Sequence, residues 1–400
     1  MTALTDRYRH IVLGCGAIGA AAAFRLADRS GGDVLVLEQY PIGHELGASE
    51  DHSRIIRYAY HSTDYTGLGH ASYAAWDDIE RRTAEQLVLR TGGLDLGIGA
   101  AGVRQAASYT AALDAVGIAS QTLDAAAIRV RWPQWRIDDD IVGLYQADSG
   151  ILDIRRANAA HVALARQAGV TFLERTAAQR LVSRPDGVEV HTDAGVFTAD
   201  SLVLAAGSWT GPLAASLGVH LPITLTQEQV TYYSTPDLSQ FAPDRFGIWI
   251  WHGATETYYG FPVYGEAAVK AGRDVSGTVV TQQTRSWEPD PVQRDGLTAF
   301  LTEHLPGAVG PELLTKTCVY DLPPDRNFIL DLLPGHPRVA VFVGAGHAAK
   351  FAALVGSILA DLATDGGTGH PIAAFAADRP ALTDPDYPAD FLFTGASAAE

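Results

Sequence analysis

The clearest hydrophobic pattern lies near the start, in "HIVLGCGAIGAAAAFRLADRSGGDVLVLEQY", residues 10–40. His10 to Leu13 form a short apolar run closed by glycine, as in a buried strand. Ala20 to Ala27 are small residues of high helix propensity. "DVLVLE" is a second apolar run, ending at Glu38. The pattern predicts strand, turn, helix, turn, strand: a βαβ unit.

Further along, "YTGLGHASYAAWDDIERRTAE" is predicted helical, and short strands are predicted between Leu87 and Leu96. Helices are expected near Ser108–Ala115 and Ala125–Ile128. "GLYQADSGILD" reads as strand and turn, and "IRRANAAHVALARQAG" as a helix stopped by glycine. "VTFLE", "AQRLVSR", "GVEVHT", "GVFTA" and "SLVLAAG" read as successive strands, and "GSWTGPLAASLG" as a short helix. "ITLTQEQVTYYS", "FGIWIW" and "TYYGFPVYG" are aromatic and β-like. The last apolar strand, "VAVFVGAG", precedes a helix from about Ala348 to about Thr364.

Pieces of a βαβ unit are thus separated by β-rich segments. The fold class expected is α/β: a Rossmann-like dinucleotide domain interleaved with an α+β domain on a mixed, largely antiparallel sheet. The first domain is expected over 1–85, 145–215 and 325–376, and the second over 86–144 and 216–324. A surface tail is expected over 377–400.

The turn after the first strand carries chemistry. Gly14, Gly16 and Gly19 form G-x-G-x-x-G, with Ala17 and Ile18 inside it. The first glycine permits the tight turn, the second lets backbone approach a pyrophosphate, and the third packs helix against strand. The helix N-terminus offers unpaired N–H groups and a positive dipole to phosphates. Glu38, about twenty residues on, suits an adenosine ribose. These features leave NAD and FAD both open. "SLVLAAGSW" favours the flavin dinucleotide, because a buried strand running into Ala205, Ala206 and Gly207 brings backbone close to it. "VFVGAGHAAK", with Gly344 and Gly346 before a helix, repeats the device, and that helix end can stabilise negative charge on the flavin's pyrimidine side.

Composition narrows the partners. The formal net charge of −17 argues against nucleic acid and anionic membranes. Two cysteines exclude a disulfide scaffold and show no zinc spacing, so no metal is expected. "RYRHIVLGCGAIGAAAAF" imitates a signal peptide, but its glycines belong to the dinucleotide turn. No other stretch approaches a membrane span, and the compartment expected is cytoplasmic. The chain has only three lysines, Lys270, Lys316 and Lys350, which draws attention to each.

"GCGAIG", "GASEDHSRIIRYAY", "AAGSW", "YYGFPVYGEAAVKAG", "CVYDLPPDRNFILD" and "GAGHAAKF" together resemble the monomeric sarcosine oxidase and N-methyltryptophan oxidase family, within the D-amino-acid-oxidase-like FAD oxidoreductases. The likeness runs from about His10 to about Phe375. It implies FAD bound covalently, through an 8α thioether to Cys318, with Ser49, Arg54, His347 and Lys350 also near the cofactor. It makes Lys270 the residue linked to oxygen activation, with Arg54 and His347 beside the flavin ring. It makes Arg57 and Lys350 the carboxylate-holding pair and has Tyr259 and Tyr320 line the substrate cavity. Asp274 stands where sarcosine oxidases carry a histidine, which points away from sarcosine itself.

The activity implied is oxidation of a secondary amine, an N-methyl amino acid or cyclic imino acid, by hydride transfer to flavin. Imine hydrolysis and H2O2 formation follow, in a protein expected to be monomeric. A flavin dehydrogenase, a tailoring oxidase of a larger amino-acid-derived metabolite, an NAD-dependent dehydrogenase and a non-catalytic flavin-binding protein are the alternatives.

Overall fold

The computed structural model describes residues 6–253, 255–389 and 391. Their strands form three sheets of eight, nine and three strands.

The eight-stranded sheet is built on the predicted βαβ unit. Arg7–Leu13 lies between Val34–Leu37 and Gly195–Leu204, parallel to both. Thr171–Leu173 continues the parallel order on one side and His336–Val343 on the other. Two hairpins, Ala178–Arg184 with Gly187–Thr192 and Ile329–Leu333 with His336–Val343, add antiparallel strands. "GVFTA" and "SLVL", read as two strands, are one continuous strand, Gly195–Leu204. Its first half pairs with Gly187–Thr192 and its second with His336–Val343 along the same edge.

The helix Ala17–Ser30 packs on this sheet through its small residues. Ala20 to Ala23 are wholly buried, and a Cβ at Gly356 would come within 2.6 Å of Ala21. The last long helix, Ala352–Asp365, therefore crosses the first at backbone contact. A 3-10 turn, Ala349–Phe351, precedes it, so the helix proper starts later than the sequence suggests.

The nine-stranded sheet carries the aromatic segments. All its pairings are antiparallel except Gly93–Ile98 with Ile248–His252. A mixed, largely antiparallel sheet is thus what the chain forms. Val88–Arg90 joins Ser53–Ile56 and Gly150–Asp153 in the small antiparallel sheet instead.

Three further elements differ from expectation. The helix expected near Ser108–Ala115 begins earlier, as Gly99–Asp114, because its N-terminal turn can pack Gly102 directly on Gly97. The helix Pro291–His304 was not foreseen, although Asp290 caps it by accepting from the Val292 N–H and Pro291 opens it. The expected surface tail is partly core. Ala377, Ala381 and Leu382 are buried, and Arg379 pairs with Asp325 at 2.7 Å. The tail's residues 390 and 392–400 lie outside the described residues.

Candidate functional site

A cavity of about 660 Å³ runs between the eight- and nine-stranded sheets. Apart from Gly19, it is lined by every residue singled out above for the site: the loop Gly14–Ile18, Glu38, Ser49, Arg54, Arg57, Gly207, Tyr259, Lys270, Asp274, Cys318, Tyr320, Gly344, Gly346, His347 and Lys350. Gly19 lies just behind the wall, where a Cβ would overlap the Gly14 carbonyl oxygen.

One end is a backbone cradle. Gly14 has φ 92°, and a Cβ there would sit 2.5 Å from the Ala205 carbonyl. A Cβ on Gly16 would lie 2.9 Å from Ser49 Oγ, which accepts a hydrogen bond from the Ala17 N–H at 2.9 Å. Glu38 accepts from the N–H groups of Cys15 (2.8 Å) and Tyr40 (3.0 Å). Burial would raise its carboxyl pKa, but hydrogen bonds from His44, Cys15 and Tyr40 outweigh that and hold it below the ordinary value. The cradle, the fixed carboxylate and the Ala205–Gly207 turn fit a flavin dinucleotide, whose phosphates need close backbone and whose ribose needs an acceptor. Cys318, half-buried on the strand Glu312–Leu322, faces the same cavity further along. Desolvation pushes its thiol up to about 12.

The N–H of Gly344 donates to Asp321 at 3.4 Å. That turn therefore already serves a protein carboxylate, itself pushed up by burial to about 6. Gly346 has φ 78°, and a Cβ there would run into the Tyr320 ring.

The other end is built from charge. Arg57 and Asp95 form a buried ion pair, and His252 Nε2 lies 2.9 Å from the same carboxylate. Burial alone would depress Arg57, but Asp95 more than reverses this. Asp274 and Arg326 form a second pair, bidentate at 2.8 and 2.9 Å. Lys350 Nζ donates to Tyr60 Oη (2.8 Å) and the His347 carbonyl (2.6 Å), both neutral. Its own carbonyl accepts from Trp76 Nε1 at 2.7 Å and Ser72 Oγ at 3.0 Å, which pins the turn to the helix Thr63–Thr83. Burial, then repulsion from Arg57, pushes the Lys350 ammonium well below its ordinary range. Arg57 and Lys350 both lie close to one ring: their charges are 5.2 and 5.3 Å from the Tyr60 centroid. His347 touches Tyr60 Oη (Nδ1, 3.2 Å) and the Arg326 carbonyl (Nε2, 3.3 Å), and burial holds it neutral.

Between the two ends stands Lys270. It does not pair with Glu266, which contacts His52 instead at 3.1 Å. Its ammonium lies 2.6 Å from Asp51 and donates to the Ser53 carbonyl at 2.9 Å. Arg54 donates to the carbonyls of Ala48, Ser53 and Glu50, which lock its guanidinium against the cavity wall.

Five residues of the site were not singled out from sequence: Asp51, Tyr60, Asp95, His252 and Arg326. Asp95 had a signal, a lone acid between Leu94 and Leu96 in an apolar strand. Arg326 lies within the quoted "PPDRNF", but nothing local tells that it meets Asp274 52 residues away.

The chain belongs to the family of FAD-dependent oxidoreductases: residues 9–362 match the family described as "DAO: FAD dependent oxidoreductase". It is 30% identical over 386 residues to monomeric sarcosine oxidase of Bacillus sp. (strain B-0618), spanning 95% of this chain and 98% of that protein. It is 32% identical over 378 residues to N-methyl-L-tryptophan oxidase of Salmonella arizonae, spanning 93% and 99%. The solved structure of NikD, described as an unusual amino acid oxidase essential for nikkomycin biosynthesis, matches with a TM-score of 0.82 at 29% identity, over 93% of this chain and 98% of that one.

Proposed function

We propose that the protein is a flavin-dependent amine oxidase that converts a carboxylate-bearing secondary amine to an imine, with dioxygen as the final acceptor and H2O2 as product. The observation that carries this reading is the convergence of Arg57 and Lys350 on the Tyr60 ring, at the far end of a cavity that begins at a dinucleotide cradle. FAD, when bound, supplies the hydride acceptor for the carbon next to nitrogen.

The chain's residues bind and orient. Arg57 and Arg326 each have an acidic partner, whereas among the described residues Lys350 donates to two neutral acceptors. A substrate carboxylate would supply the anion that this buried cation lacks, and it would restore the charged form that burial disfavours. Arg57, held by Asp95, presents a planar fork beside it. His347 is held neutral and is a poor reservoir of charge, so the amine binds in its neutral form and leaves its proton to solvent. Tyr259 and Tyr320 form the apolar wall, and Asp274 serves as counter-ion to Arg326 at the specificity end.

Lys270 is assigned to the oxygen half-reaction. A cation about 4 Å from developing superoxide, at an effective dielectric near 20, would contribute about 4 kcal/mol, or about three decades in rate. Cys318 is assigned as the covalent tether. Acid precipitation tests the tether: yellow colour stays in the pellet of the wild type and moves to the supernatant for Cys318→Ala. The function is tested by an H2O2-coupled screen over N-methyl and cyclic amino acids. Turnover with at least one class is expected; flavin reduction without peroxide would replace the oxidase reading with a dehydrogenase.

A further inference from the structure

Lys270 and Tyr232 are directly opposed across two antiparallel strands, Thr224–Tyr233 and Val269–Asp274. Both side chains converge on one carboxylate. Asp51 Oδ1 accepts from Tyr232 Oη at 2.7 Å, and Oδ2 lies 2.6 Å from Lys270 Nζ. Asp51 is buried and has φ 75°, in the left-handed region that an aspartate occupies only at a cost. A glycine would meet that backbone requirement without strain, whereas an aspartate meets it at some cost. Strain of this kind gathers where the surroundings impose a geometry for function.

The remaining neighbours define the electrostatics. Arg54 faces Lys270 and Asp51 from the small sheet, and Cys318 faces Lys270 from the strand Glu312–Leu322. Lys316, on that same strand, lies 3.9 Å from both Asp51 and Glu50. The rings of Phe261 and Tyr232 complete the wall, with Lys270 Nζ 4.6 and 5.7 Å from their centroids. Two of the chain's three lysines thus share this cluster, and Arg54 adds a third cation. Without Asp51, Lys270 would be a buried ammonium facing other positive charge, and burial disfavours the charged form.

We propose that Asp51 is a positioning residue for Lys270, holding its ammonium charged and fixed at this point of the cavity wall. The proposal rests on the reading of Lys270 as the oxygen-reactive cation. Burial lowers Lys270 to about 8 even with Asp51 pulling the other way. Losing the carboxylate would leave the lysine mostly neutral at neutral pH, and a neutral amine gives developing superoxide no cation. Asp51 thereby moderates the field that Lys270 offers but keeps it present.

The test uses the flavin-loaded protein grown with lysine carrying 13C at Cε, which yields only three lysine signals. Loss of one signal in Lys270→Met assigns it. In the wild type that signal should titrate near pH 8. In Asp51→Asn its midpoint should fall by about 1–3 pH units. Asp51→Gly, which relieves the backbone, should do the same and guards against misfolding. Stopped-flow reoxidation by O2 at pH 7.5 should slow at least about tenfold more than anaerobic reduction does in both variants. An unchanged midpoint in both variants overturns the proposal whatever the rates do. A lowered midpoint with normal reoxidation in Asp51→Asn and Lys270→Met alike supports Asp51's hold on the charge and overturns the oxygen role of Lys270.

Discussion

The two ends of the cavity are held together by different physics. At the dinucleotide end, backbone meets backbone: Gly14, Gly16 and Gly19 leave no room for a Cβ. At the charged end, side chains meet as buried charge pairs, Arg57 with Asp95 and Arg326 with Asp274, around a Lys350 with neutral acceptors. The first end is steric, so a change there acts as all or none. The second is electrostatic, so changes there are graded and depend on pH.

Gly19→Ala is expected to have the largest effect. Its Cβ would overlap backbone that cannot turn aside, a cost in the exceptional range above about 4 kcal/mol. The purified protein should lack yellow colour or fail to fold. Gly367→Ala, at a position with nothing within 4 Å and no positive φ, is the control and should melt within about 0.5 kcal/mol of wild type. Equal behaviour of the two would break the steric account.

Next is Asp274→Ala, which takes the paired carboxylate from Arg326, only 2% exposed and otherwise bonded to the Phe391 carbonyl. Removing one member of a buried pair costs about 3–5 kcal/mol, and the Phe391 contact places this case at the lower end. Urea denaturation of the flavin-loaded protein should register it. Arg57→Ala ranks third. A hydrogen bond to a charged group is worth about 1.5–3 kcal/mol, so small carboxylate inhibitors should bind about one to two decades more weakly, with the flavin retained. Tyr60→Phe removes the hydroxyl that meets Lys350 and His347 and should cost about 1 kcal/mol, a severalfold rise in inhibitor Kd.

The pH dependence of that Kd sharpens the contrast. Burial depresses Lys350 well below its ordinary range. A carboxylate binds its protonated form, so affinity is full below the depressed value. It should weaken as pH rises through that value, well short of where an exposed lysine titrates. FAD retention at the glycine end should stay flat across the same window.

The same difference explains what could be read from sequence. The glycine cradle is local: strand, glycines, helix and Glu38 fall within 31 residues, and each has a physical reason to be where it is. The mixed sheet was also legible, since apolar and aromatic runs mark its strands. The charge pairs were not. Asp274 raised a question in the sequence because an acid suits a carboxylate site poorly. Its answer, Arg326, lies 52 residues away, in the turn before the strand Ile329–Leu333, and meets it only in the folded chain. Asp51 likewise meets Lys270 across 219 positions. A one-dimensional pattern carries no record of such pairings. The partly buried segment 377–382 was missed for another reason: its three apolar residues, split by Asp378, Arg379 and Pro380, lack any period.

The central claim is that the charged end selects a carboxylate-bearing amine. The most direct measurement is kcat/KM for a matched pair, a turned-over amino acid and the amine that lacks only its carboxylate, in wild type and Arg57→Ala. The account predicts that wild type prefers the amino acid by about a hundredfold or more and that Arg57→Ala loses at least about tenfold of that preference. Equal turnover of the two by wild type, unchanged in Arg57→Ala, would contradict it.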